Sequence, residues 1–152
     1  MAKKKIRSRQ KKKPSNCGYK PVDHTADIGL YIWGVNMESL LTAGFKGLIG
    51  ITSALKNLNG NESIKLKISS DDRESLLISF LNEILYLINV KRWMPAKIVK
   101  LKISGKILTA ELSGAPYKSP AALRTEVKAA TYHAVEIKDN DDILSTNVYF
   151  DL

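Results

Sequence analysis

Three oxygen donors stand out as the residues of this sequence most able to do chemistry. The sequence closes on Phe150-Asp151-Leu152, which sets a side-chain carboxylate beside an α-carboxylate. Two hard anionic donors at the end of a strand hold a cation when a third acidic group comes close. Asp27, inside Asp23-His-Thr-Ala-Asp-Ile-Gly29, is the candidate for that third group. An all-oxygen set of Asp27, Asp151 and the Leu152 carboxylate suits Ca²⁺, Mg²⁺ or Mn²⁺ rather than Zn²⁺. Glu126 and Lys128 are accessory candidates, able to add a ligand or a counter-charge from one face of a strand. Taken singly, Asp27 also reads as a cap and Asp151 as a solvated terminus.

The other reactive side chains point to little catalysis. His24 and His133 are the only histidines and lie far apart in the chain, so their spacing defines no His-pair site. His133 is expected on a buried strand face with Val127 and Val135, as a hydrogen-bonded core histidine. No HExxH, phosphate-binding glycine loop or nucleophile elbow occurs. The single cysteine, Cys17, excludes an intrachain disulfide and is expected just outside the folded body, in a reducing compartment.

The elements that must position these groups follow from periodicity. Ile28, Leu30 and Ile32 alternate with Gly29, Tyr31 and Trp33, the pattern of a half-buried strand ending at Gly34. Asn36 offers an N-cap to a helix from Met37 to Ile49, whose Gly44 and Gly47 suggest close packing. Glu62–Ser69 alternates as a strand with one wet face. Asp71-Asp-Arg-Glu74 then opens a helix with Leu77, Phe80, Leu81, Ile84, Leu85 and Ile88 on its apolar stripe. Residues 98–104 and 106–113 form a hairpin across Gly105. The β-branched alternation from Glu126 to Lys138 predicts one long strand, residues 139–142 a turn, and residues 146–152 the last strand. The expected fold is α+β, with about seven strands in largely antiparallel sheet and two main helices.

Charge is divided unevenly along the 152 residues. The net charge of +9 comes from 24 basic and 15 acidic residues, and eight of the basic ones lie among residues 1–13, from Lys3 to Lys13. Without them the body balances at 16 against 15. Residues 1–17 are therefore expected to be a disordered basic tail and residues 18–152 a single domain. Residues 3–13 are a salt-dependent contact for tRNA or other RNA, or a simple solubilising tail. With no apolar leader and no span of about 20 apolar residues, a soluble cytoplasmic protein is expected, nuclear if the source is eukaryotic.

Four blocks then resemble the archease family: Tyr19–Gly34 with Asp23-His-Thr-Ala-Asp27, Ser79–Leu87, Thr125–His133 and Tyr149–Leu152. The resemblance implies an archease-like α+β fold and a non-catalytic activator of the RtcB-type RNA ligase of tRNA splicing. Such an activator promotes guanylylation of the ligase and repeated turnover, with a metal ion near its site of action. The metal site it implies falls on Asp27, Asp151 and Leu152, with Ca²⁺ foremost, and it adds His24 to Glu126 and Lys128 as an accessory residue. The sequence departs from the family pattern in the basic Asn89-Val-Lys-Arg-Trp93 and in the glycines of the first helix. The competing reading is an RNA-binding module, or a general chaperone for nucleic-acid-modifying enzymes, that works through the basic tail. A third reading, a metal-dependent hydrolase, lacks an evident nucleophile or positioned base.

Overall fold

The structure, a computed structural model, describes residues 17–22, 27–58 and 60–152. The tail at residues 1–13 and His24 lie outside them. Eight strands and two long helices follow in the order β1 (Cys17–Val22), β2 (Ile28–Gly34), α1 (Met37–Thr52), β3 (Glu62–Ser69), α2 (Arg73–Asn89), β4 (Trp93–Ser104), β5 (Ile107–Pro116), β6 (Ala129–Ala130), β7 (Lys138–Asn140) and β8 (Ile143–Asp151). A short 3₁₀ turn spans Pro120–Ala122. The α+β class is as expected, with two antiparallel sheets: β1-β2-β8-β6 with β7 also paired to β8, and β3-β5-β4.

The helices bridge these sheets. α1 packs on β1, β2 and β8 and meets α2 and β4, while α2 touches β3 and β4 on one side and β6 on the other. One continuous core results. Leu30, Ile32, Val148 and Phe150 from the larger sheet join Leu40, Leu41, Phe45, Phe80, Leu81 and Ile84 from the helices and Met94, Leu108 and Leu112 from the smaller sheet. Burying side chains of this size contributes about 1.5–3 kcal/mol each.

The helix starts match their sequence signals. Asn36 and Ser39 form a reciprocal box, Ser39 N donating to Asn36 Oδ1 at 2.8 Å and Asn36 N to Ser39 Oγ at 3.1 Å. Asp72 caps α2 by accepting from Ser75 N at 2.7 Å. Gly44 and Gly47 of α1 lie in close packing: a Cβ on Gly47 would come within 2.7 Å of Leu30 Cδ1, and one on Gly44 within 3.4 Å of Leu81 Cδ2.

Four sequence expectations are corrected. Cys17 is not outside the folded body but opens β1, opposite Gly34 and packed on the core. The long strand from Glu126 to Lys138 does not form; within it only Ala129–Ala130 and, at its end, Lys138 pair with β8. The turn is shorter than residues 139–142, because Asn140 already pairs with Ile143 and the reversal is made by Asp141 and Asp142 alone, at φ 51° and 63°. Two positive φ values define the turn whose twist suits a two-residue hairpin, and aspartate tolerates that region. His133 is exposed, not a core residue.

The missing strand has a physical replacement. Three polar side chains along α2 hold the segment through its backbone: Glu74 Oε1 accepts from Ile137 N at 3.1 Å, Asn82 bonds both Ala130 N and Ala130 O at 2.8 and 3.2 Å, and Asn89 Nδ2 donates to Val127 O at 2.8 Å. Spaced along about 22 Å of helix axis, they satisfy backbone groups that a neighbouring strand would otherwise pair. Ala134, at φ 55°, breaks the extended course between them.

Candidate carboxylate site at the margin of the larger sheet

The register of β2 against β8 sets the site. Ile28 pairs with Phe150, and this is the last pair of the ladder. Asp151 is the last residue of β8 and Asp27 directly precedes β2, each one step along the chain beyond that pair. Phe150 and Val148 point into the core, so Asp151 falls on the outer face with Tyr149, Asn147 and Ser145. Asp27, directly preceding β2, lies outside the strand itself.

β8 is held on both flanks at this point. Lys128 N donates to Asp151 O at 2.8 Å, Ala129 sits opposite Asp151, and Thr131 donates to Tyr149 O through both its backbone N and its hydroxyl, at 2.9 and 3.0 Å. The Asn82 bonds to Ala130 fix the far side of this small ladder. One residue inward, the Tyr149 ring lies over Gly29, where an added Cβ would meet Tyr149 Cε1 at 2.8 Å. The His133 ring packs on Tyr149 with centroids 5.6 Å apart. An aromatic layer thus adjoins the carboxylate pair.

Of the residues singled out in sequence, Asp27 and Asp151 adjoin the last pair of the same ladder, Leu152 follows Asp151, and the Lys128 backbone N donates to Asp151 O. Glu126 does not share a strand face with Lys128. It lines a cavity of about 260 Å³ with Asn89, Arg92, Tyr117, Pro120 and Leu123. There burial pushes the Tyr117 phenol above its ordinary range, against the pull of Arg92 and with a smaller push from Glu126, while its hydroxyl donates to Ile88 O. Among the described residues no three His, Cys, Asp or Glu side chains converge as a metal cluster. A cation site here would therefore depend on oxygens beyond the two aspartates. Sequence reasoning missed Glu74, Asn82 and Asn89, which position the segment beside Asp151; their signal is a row of polar residues on an otherwise apolar helix face.

A two-sheet α+β body with a carboxylate pair on the margin of its larger sheet defines the structural class. The archease protein family model matches residues 19–152, and the chain belongs to that family. The archease of Methanothermobacter thermautotrophicus is 30% identical over 139 residues, covering 89% of this chain and 99% of the relative. A Drosophila melanogaster archease-like protein is 30% identical over 125 residues, 78% of this chain and 79% of its own. The solution structure of a Methanobacterium thermoautotrophicum protein superposes with a TM-score of 0.78 at 30% identity, over 89% of this chain and 99% of that one. The crystal structure of a Thermotoga maritima archease, described as a possible chaperone, gives 0.65 at 28% identity over 88% and 96%. None of the described helices is long and apolar enough to cross a membrane.

Proposed function

We propose that this protein is a non-catalytic activator of an RtcB-type RNA ligase in tRNA splicing, working through a divalent cation held by Asp27, Asp151 and the Leu152 carboxylate. The observation that supports the reading is that the β2–β8 ladder ends at Ile28 and Phe150, with Asp27 directly preceding β2 and Asp151 closing β8. Two carboxylates held near each other repel, and a cation between them relieves the repulsion. The donors are all oxygen, which favours Ca²⁺, Mg²⁺ or Mn²⁺. Such an ion, when bound, neutralises charge on phosphate oxygens during nucleotidyl transfer. The protein's own part is positional. β8 carries Asp151 at its end, Lys128 N holds the Asp151 backbone, and Asn82 braces the neighbouring segment.

The test is ligase guanylylation and RNA-joining turnover with a cognate ligase, GTP and a divalent cation, comparing wild type with Asp27→Ala and Asp151→Ala at matched folding. Wild type raises turnover and both variants lose the effect. Full stimulation by both variants would remove the carboxylate site from the mechanism, and no stimulation by wild type would remove the ligase partner. Calorimetric titration with Ca²⁺, Mg²⁺ and Mn²⁺ ranks the ions independently of the ligase.

A further inference from the structure

The outer face of the smaller sheet carries a charge pattern with no part in the carboxylate site. Its rows follow from the register. Ser63, Ser113 and Lys97 form one row across the three strands, Lys65, Glu111 and Lys100 the next, and Lys67, Thr109 and Lys102 the third. The inward set, Ile64, Leu66 and Ile68 on β3 and Leu108, Ala110 and Leu112 on β5, faces the core. Five lysines thus share one face with a single carboxylate.

Lysine therefore lines both edge strands, while the central strand provides hydroxyls and Glu111. Successive outward residues on a strand lie about 6.6–6.8 Å apart, and two strand spacings separate the lysine rows by about 9.6 Å. Between them runs a groove of about 400 Å³ lined by Lys65, Lys67, Lys100, Lys102, Thr109 and Glu111.

A bulge in β4 preserves this arrangement. Lys97 and Lys100 are three residues apart and would point to opposite faces of a regular strand. The register shift between Ile98 and Lys100 takes up one residue and returns Lys100 to the face of Lys97.

Charged edges that merely block strand-to-strand association would serve equally well with mixed signs. Here the sign is uniform on both edges, and among the described residues none of the five lysines forms an ion pair. The carboxylate between them accepts from Ser63 Oγ at 3.0 Å.

We propose that this lysine-railed face of the β3-β5-β4 sheet binds the phosphodiester backbone of an RNA strand. The repeat of the lysines along each edge is comparable with the separation of successive phosphates in an extended strand, and the serine and threonine hydroxyls between them donate to phosphate oxygens. The groove lining contains no aromatic side chain, so binding reads the backbone rather than the bases and depends steeply on salt. The choice of RNA among polyanions rests on the proposed ligase role, but the binding test needs no ligase and fails separately from it.

The experiment is fluorescence anisotropy of a labelled oligouridylate across a salt series, using the full chain. A variant with Lys65, Lys67, Lys100 and Lys102 changed to Gln is compared with one in which the exposed Lys46, Lys56, Lys118 and Lys138 are changed instead, so that net charge is matched. With about 0.7 of salt slope per phosphate contact on a single strand, the groove variant loses about 2.8 from its log–log slope and binds about tenfold or more weakly at low salt. The control variant stays near wild type, and Glu111→Gln binds more tightly. Equal affinity and slope for wild type and the groove variant would overturn the proposal, as would an equal loss in the control, which means net charge alone. Selective loss of polyglutamate binding with RNA binding intact would assign the face to an acidic protein and likewise overturn it.

Discussion

Asn82→Ala is expected to destabilise the fold by more than an exposed polar substitution does, because one side chain satisfies two backbone groups of a buried residue. Asn82 accepts from Ala130 N at 2.8 Å and donates to Ala130 O at 3.2 Å, and Ala130 is only 5% exposed. Each bond is worth about 0.5–1.5 kcal/mol net, and a backbone group left dry costs about 1–3 kcal/mol, so the loss should reach about 2–4 kcal/mol. At this chain length about 2–4 °C of melting temperature follows each kcal/mol, which places the shift at about 5–15 °C. Urea unfolding reads the free energy, and amide exchange at Ala130 reads the bond itself. Asn82→Asp retains the acceptor for Ala130 N but turns a second oxygen toward Ala130 O, so it should recover only part of the loss. A change below about 0.5 kcal/mol with Ala130 still protected would refute the view that α2 replaces a missing strand.

Gly34→Ala should cost about 1–3 kcal/mol by overpacking, since the new Cβ would sit 2.5 Å from Leu40 N and 2.7 Å from Ser39 C; a thermal melt matching wild type would contradict it. Asp72 has its carboxyl held below the ordinary range, chiefly by the hydrogen bond from Ser75 N. Its contribution is therefore complete above the unfolded-state value near 3.8 and lost as pH falls through the lower folded-state value. Asp72→Asn keeps an acceptor without titrating, so the stability gap between wild type and variant should close as pH drops through that window, and a gap constant with pH would exclude the linkage.

Both helices were legible because their signals are local: an apolar stripe at helical spacing behind Asn36 or Asp72. The hairpin across Gly105 was legible for the same reason, with Gly105 at φ 59°. β1 was not, since Gly18, Lys20 and Pro21 show no alternation and its place depends on β2 already being present. Residues 126–138 misled in the opposite direction. Their β-branched alternation is real, yet side chains from α2, distant in sequence, take the backbone bonds that would have made a strand. His133 followed the same error, because its expected burial assumed that strand. Asp27 and Asp151 could be named as candidates from residue type, but their place at the end of one ladder follows from the pairing of Ile28 with Phe150, which no local pattern reveals.

The position of β8 between β2 and β6 has a consequence for biosynthesis. β2 cannot acquire this neighbour until residues 143–151 have been made, and at about 5–20 residues per second that takes roughly 5–20 s after β2 itself. During that interval α1 can rest on β1 and β2, and later on α2 and β4, but the edge of β2 that will receive β8 stays open to any extended chain nearby. The long sequence separation of this pairing also slows closure once the partner strand is available. The nascent protein thus passes through a stage at which it needs shielding from other chains, and its larger sheet is completed only once β8 has been made.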